Sequence, residues 1–211
     1  MKYIPKTKLG IRLKEDKRYR IVTFALCGFA INILYALYNG ALGILSHSVW
    51  FLSLCAYYTI LSSMRLGVII QDRRNISTEN FITNVCGVML IVLSFVLSGS
   101  VYVSLANNIA VKHQEIIMIT IATYTFYKVV FAIVNTVTIR KENSLLLSTI
   151  RNISCADAAV SILSLQRSML VSFGEMERDK MYVMNALTGA GVFIIILGLG
   201  IGTMVNSAKK M

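Results

Sequence analysis

Six apolar stretches, each close to the roughly 20 residues that a helix needs to cross a lipid bilayer, constrain this chain more than any other feature. They are too long for the strands of a membrane barrel, and their side chains do not alternate with a period of two. We therefore predict six transmembrane helices in an all-α membrane protein, at Ile21–Tyr38, Val49–Ile70, Phe81–Val103, Ile116–Ile139, Thr149–Phe173 and Tyr182–Val205.

The composition excludes other classes of protein. Hydrophobic residues make up 56% of the 211 residues and charged residues 15%, against roughly 25% charged in a soluble domain. A soluble chain of this length could not bury so much apolar surface, and a disordered chain needs low hydrophobicity. A disulfide-stapled secreted module is also excluded, because the four cysteines lie inside apolar runs, at Cys27, Cys55, Cys86 and Cys155.

The placement of Lys and Arg predicts the topology. Basic residues concentrate in the N-terminal arm, the second and fourth connections and the tail, whereas the other connections hold few or offset them with acidic residues. Because Lys and Arg accumulate on the cytoplasmic side of short loops, both termini should be cytoplasmic. We expect a multi-pass protein of the cell (inner) membrane with a basic arm at 1–20, a six-helix domain at 21–206 and a short cytoplasmic tail at 207–211.

The formal net charge of +11 has to be explained by what the basic residues interact with. Topology and attraction to anionic lipid headgroups explain it, at about 1 kcal/mol for each basic residue near the surface. The basic arm carries no zinc-ligand spacing and no nucleic-acid-binding module, so we expect no nucleic acid as a partner.

We assign Arg65 and Arg151, near the ends of their predicted spans, to the basic flanks of the second and fourth connections. Three further ionisable side chains fall deeper inside the predicted spans, where charges are costly and commonly functional. Lys128 lies near the middle of the fourth helix, and the fifth helix carries Asp157 and Arg167. Asp157 and Lys128 differ in depth by about 5 Å, which a lysine stem can bridge, so they are expected to form an ion pair that is either structural or functional. The long side chain of Arg167 either extends to the outer membrane interface or has a functional role inside the membrane.

The fifth helix also carries the clearest polar stripe in the chain, at intervals of three and four residues. Its members are Ser154, Asp157, Ser161, Ser164 and Ser168. Such a stripe faces the protein interior, either as small-residue helix packing or as the lining of a substrate path. The candidate substrate-path residues are Asp157, Ser161, Ser154, Tyr57 and Lys128.

The sixth helix is rich in glycine. Gly198 and Gly202 are four residues apart, a spacing that lets two helix backbones approach closely. We interpret this as a packing signal. No Walker loop, nucleophile elbow, HExxH or CxxC motif occurs, so we expect no enzymatic activity, cofactor or metal.

Two segments resemble the cation diffusion facilitator (cation efflux) family. The stretch from Asn32 to Ser63 is similar to the family's first-to-second helix region, with the loop residues Gly43, Ser46 and Ser48 in place. The stretch from Ser144 to Ser161 is similar to its fifth-helix entry, and Ser144, Asp157 and Ser161 match without a gap. The resemblance implies a cation-diffusion-facilitator-like bundle of six helices.

The departures from the family concern its metal site. The resemblance places two metal ligands on helix two and two on helix five, but Tyr57 and Leu61 occupy the first pair and Ile153 one of the second, so only Asp157 remains. A single carboxylate without imidazole cannot form a tetrahedral zinc site. We therefore expect an altered site, no zinc export by the usual chemistry, and no cytoplasmic metal-binding domain.

These observations favour a transporter. We predict that the chain moves a cation or small solute along a polar path between helices two and five. Its expected partners are the lipid bilayer, the solute and a second copy of the chain in a homodimer. Two alternatives are a substrate-capture subunit of an energy-coupling-factor-type importer and a membrane scaffold that transports nothing.

Overall fold

The computed structural model of the chain describes residues 17–45, 47–74, 79–106, 115–139, 144–173 and 178–209. These residues form six helices and no strands, and the helix bounds are α1 Lys17–Leu45, α2 Val49–Arg74, α3 Glu79–Ala106, α4 Glu115–Ile139, α5 Leu145–Phe173 and α6 Arg178–Ala208. The all-α prediction is confirmed. Residues 1–16 of the basic arm, the connection at 75–78 and the basic connection at 140–143 lie outside the described residues.

Five of the six helices are long and apolar enough to cross a membrane, namely α1, α2, α3, α5 and α6. The fourth helix has a described apolar stretch of 17 residues, Ile121–Val137, which spans about 26 Å at the helical rise. The structure is thus compatible with an integral membrane protein. Six complete crossings stay a prediction, because a bilayer core is about 30 Å thick.

The first helix is longer than the sequence predicts. It continues past Tyr38 to Leu45, and the buried Asn39 side chain within this stretch donates to the Tyr35 carbonyl at 2.8 Å. The turn to α2 is therefore short. His47 has a φ of 48° and its amide donates to the Ile44 carbonyl.

Side-chain contacts show that both ends of the helical region lie at the same end of the bundle. Ser207 near the end of α6 donates to the Asn80 carbonyl at the start of α3, and Thr149 at the start of α5 donates to Thr83 of α3. At the opposite end, Arg167 of α5 lies over Trp50 at the start of α2. Since α1 and α2 form an antiparallel hairpin, α1 begins where α6 ends, as the predicted topology requires. We name these the terminal end and the far end of the bundle.

Helices α3 and α6 form a closely packed pair. A Cβ atom at Gly200 would lie 3.0 Å from the Gly87 carbonyl oxygen and 2.8 Å from a carbon of Ile91, so glycine is required where the two backbones meet. The packing signal in the sequence is therefore real, but its position is different. Among the described residues, nothing lies within 4 Å of a Cβ built at Gly198 or Gly202.

The fifth helix forms the centre of the protein. It packs against α2, α3, α4 and α6, and 78% of its apolar stretch is buried against 22–50% for the other four candidate spans. It is also the least apolar of the five spans by composition. Its polar side chains therefore face other helices, and the more apolar helices surround them.

Candidate functional site

The site is built around the carboxylate of Asp157 on α5, which is 5% exposed. Three donors from three other helices bind it. Lys128 Nζ of α4 lies 2.7 Å from Oδ1, while Asn32 Nδ2 of α1 and Arg65 Nη2 of α2 lie 2.7 Å and 3.3 Å from Oδ2. One carboxylate thus connects the four helices α1, α2, α4 and α5.

The ion pair between Lys128 and Asp157 is confirmed, and the lysine has a second set of partners. Its ammonium lies over three tyrosine rings, 4.2 Å from the centroid of Tyr58, 4.6 Å from Tyr124 and 5.3 Å from Tyr35. A desolvated cation gains about 2 kcal/mol or more from such a ring face. The lysine is therefore held by a carboxylate on one side and by aromatic rings on the other.

Arg65 belongs to this site, although it was interpreted from the sequence as part of the basic flank of the second connection. It lies about 13 Å inside the end of α2 and is 1% exposed. Its guanidinium lies against the backbone of α1 at Gly28, where a Cβ would overlap Nη1. Glycine at this position is what allows the arginine to reach Asp157.

The charges of the cluster do not cancel. Arg65 and Lys128 supply two positive charges and Asp157 supplies one negative charge, which leaves one excess positive charge among buried side chains. Burying an uncompensated charge is costly. Moreover, Arg65 Nε has no hydrogen-bond partner within the described residues, so the cluster retains both charge and donor capacity.

The tyrosines lie on the far-end side of the ion cluster. Tyr35 is one turn beyond Asn32 along α1, Tyr124 is one turn before Lys128 along the antiparallel α4, and Tyr58 lies two turns from Arg65 in the same direction. The rings contact one another, with centroids of Tyr35 and Tyr58 5.0 Å apart and of Tyr35 and Tyr124 4.8 Å apart. This tyrosine layer closes the site toward the far end.

A pocket lies on the terminal-end side of the same cluster. It is a small pocket with a cavity volume of about 20 Å³, and its lining includes Gly28, Arg65, Lys128, Ser154 and Asp157. Gly28, Phe131 and Ser154 are each one turn nearer the terminal end than the residues that form the ion cluster. The pocket therefore lies on the terminal-end side of the ion cluster, opposite the tyrosine layer.

The pocket is located in the cleft between α1 and α4. In the part of the chain that the structure describes, α4 packs along its length against α5, and α1 packs against α2. Ile31 of α1 and Tyr127 and Phe131 of α4 form the apolar walls, and Tyr127 is 48% exposed on the outer surface of the bundle. The cleft thus faces the surface that lipid covers in a membrane.

The polar stripe of α5 contacts neighbouring helices and also reaches the pocket. Ser161 donates to the Asp157 carbonyl and contacts the Tyr58 hydroxyl at 3.1 Å, which is helix packing next to the tyrosine layer. Ser154 donates to the Ile150 carbonyl and accepts from Asn135 at 3.3 Å, but it also lines the pocket. Ser154 and Ser161, which lie one helical turn to either side of Asp157, therefore both contact the site.

Among the candidate residues, Tyr57 is the one that lies away from the ion cluster. It is 1% exposed, its ring lies edge-on to Tyr58 with centroids 6.0 Å apart, and its hydroxyl has no hydrogen-bond partner within the described residues. Its neighbour Tyr58 contacts both Lys128 and Ser161. The tyrosine of α2 that joins the site is therefore Tyr58, one position after Tyr57.

Arg167, the third intramembrane charge, belongs to a different environment. It is 8% exposed and its guanidinium lies 4.3 Å from the ring centroid of Trp50. Ten residues separate it from Asp157, about 15 Å along the helix. Its long side chain therefore packs on an aromatic ring near the far end instead of joining the central cluster.

The donors around Asp157 determine the chemistry that its carboxylate can perform. Both oxygens already accept hydrogen bonds from Asn32, Arg65 and Lys128, and no group of three His, Cys, Asp or Glu within the described residues could hold a metal ion.

The chain matches no protein-family model, and no curated protein matches it either. The resemblance to cation diffusion facilitators therefore stays a prediction.

Proposed function

We propose that this chain is an integral membrane transporter for a small solute, which binds in the pocket next to Asp157. The observation that carries the proposal is the asymmetry of the site. A charged cluster lies halfway along four helices, with a pocket on its terminal-end side and the tyrosine layer on its far-end side. A transporter that alternates between two open states needs such a site, closed on one side at a time.

The placement of polar groups supports this proposal over the scaffold alternative. Ionisable residues at membrane depth are costly, and they commonly mark solute or ion pathways when they face a cavity. Here Lys128, Asp157 and Arg65 all line the pocket. A structural ion pair would be equally stable without a cavity beside it, so the pocket is the feature that favours transport.

We further propose that the relation to cation diffusion facilitators concerns the bundle and not the cargo. The site forms between α2 and α5, where the resemblance places the metal site, together with α1 and α4. Arg65 and Lys128 now occupy the surroundings of the surviving carboxylate. Two fixed cations oppose the entry of a metal ion, so a different small solute fits this site better.

The experiment that tests transport does not require the solute to be known. Ser154→Cys would place a thiol in the pocket, in a full-length background in which the four native cysteines are replaced. The rate of its modification by a membrane-impermeant methanethiosulfonate is measured in inside-out and right-side-out vesicles. We expect more rapid modification from the terminal-end side, because the pocket lies on that side of the ion cluster and the tyrosine layer lies on the other.

The matched control is Ser94→Cys on α3. Ser94 is close to the middle of its helix and, like Ser154, is buried, but it does not line the pocket. We expect Ser154→Cys to react at least about tenfold faster than Ser94→Cys. Equal, slow rates in both vesicle orientations would contradict the proposal and favour a scaffold.

A further inference from the structure

The charge of the central cluster indicates which class of solute it binds. The side chains that line the pocket include two cations and a single carboxylate, and that carboxylate already binds both cations. A solute cation would have to displace Lys128 or Arg65 from Asp157. An anion would instead neutralise the excess positive charge without breaking any bond of the cluster.

Hydrogen-bond capacity leads to the same conclusion. A guanidinium has five N–H donors, and Nε of Arg65 has no partner within the described residues although the side chain is only 2% exposed. Buried donors without an acceptor are costly. Arginine also binds carboxylate and phosphate in a planar, two-pronged geometry. The missing partner of Arg65 is thus an acceptor.

The walls of the pocket indicate an organic anion. The rings of Tyr127 and Phe131 are nearly parallel, 18° apart with centroids separated by 6.1 Å, and Ile31 faces them from α1. These apolar side chains lie between the charged floor of the pocket and the lipid-facing surface. A ligand with an anionic group and an apolar part would satisfy both regions at once.

We propose that the pocket between α1 and α4 binds an organic anion whose carboxylate or phosphate group contacts Arg65 and Lys128. Its apolar part lies against Tyr127 and Phe131. This assignment of the substrate class rests on the proposed function, because it uses the same pocket. Two sources supply this chemistry, a soluble organic acid and the headgroup of an anionic lipid that enters through the cleft.

The test is equilibrium binding of radiolabelled octanoate to the full-length protein in nanodiscs of neutral phosphatidylcholine. We expect saturable binding that inorganic phosphate weakens and that octyltrimethylammonium, the probe of opposite charge, does not. Arg65→Gln should weaken binding by about 10–100-fold, because it removes a hydrogen bond to a charged group. Arg167→Gln, which removes a buried arginine outside the pocket, should leave the affinity unchanged.

Asp157→Asn separates an anion site from a cation site. If the ligand is an anion, loss of the competing carboxylate should leave octanoate binding intact or tighten it. If the protein carrying Asp157→Asn does not fold, the double variant with Lys128→Met is used. It restores the single excess positive charge through Arg65 and should still bind octanoate.

The lipid composition identifies the source of the anion. If replacing phosphatidylcholine by phosphatidylglycerol weakens octanoate binding at least tenfold, the lipid headgroup occupies the site. If the affinity is unchanged, the ligand is a soluble acid. Absence of saturable octanoate binding, an unaltered affinity in Arg65→Gln, or displacement by octyltrimethylammonium would overturn the anion assignment. Rapid modification of Ser154→Cys in that case would leave the transport proposal standing.

Discussion

Removing Asp157 from the ion pair at the centre of the bundle should destabilise the protein more than removing its partner Lys128. Removing one partner of a buried pair costs about 3–5 kcal/mol. Asp157→Asn leaves both Lys128 and Arg65 without their counter-charge, so we expect about 5 kcal/mol. Lys128→Met leaves the carboxylate bound to Arg65 and Asn32, so we expect about 3 kcal/mol.

The two single substitutions together remove about 8 kcal/mol from the free energy of unfolding. The double variant should lose much less than this sum. With both groups neutral, Arg65 is the remaining uncompensated charge of the cluster, and we expect a total loss of about 4 kcal/mol. At roughly 2–4 °C for each kcal/mol, Asp157→Asn lowers the Tm by about 10–20 °C. The double variant should therefore have a higher Tm than Asp157→Asn alone.

The assay is thermal unfolding of the purified full-length protein in detergent, for the wild type, both single variants and the double variant. Losses that add across the cycle would refute the reasoning, because independent sites add and coupled sites do not. The control cycle combines Lys128→Met with Arg167→Gln. These sites share no contact described above and their effects should add.

Three further results are expected. Gly28→Ala should lower the Tm because its Cβ overlaps the Arg65 guanidinium, whereas Gly67→Ala, with nothing within 4 Å of its Cβ, should be neutral or stabilising; equal effects would contradict this. Gly200→Ala should destabilise the protein because the Cβ approaches α3, and Gly198→Ala should not; thermal unfolding measures both pairs. Calorimetry should detect no more Zn²⁺ binding than a control membrane protein shows, and stoichiometric micromolar binding would contradict the altered-site prediction.

The sequence was sufficient to find the most polar helix and two of the charges in the site. Charged side chains are so costly in lipid that Lys128 and Asp157 are conspicuous inside apolar stretches. Their similar depth then predicts the pair, which the structure confirms at 2.7 Å. The three- and four-residue spacing of the serines likewise shows which face of α5 is turned inward.

Arg65, Asn32 and the tyrosines could not be assigned in this way. Arg65 lies close enough to the end of α2 that a linear reading takes it for part of the basic flank, and only the position of Gly28 on α1 shows where its guanidinium goes. Asn32 is uncharged and produces no comparable signal. Tyr57 and Tyr58 are adjacent, but a helix rotates about 100° per residue, so only one of them faces Lys128.

What the sequence by itself determined is therefore the membrane class, the helices and the presence of buried charge, since each follows from hydropathy and spacing along one chain. The tertiary structure alone decided the sign of the net charge at the site. Whether Asp157 is a free carboxylate for a cation or the counter-ion of two cations depends on which side chains of α1, α2 and α4 reach it. That is set by the distances between helices, and the periodicity of a single helix contains no information about them.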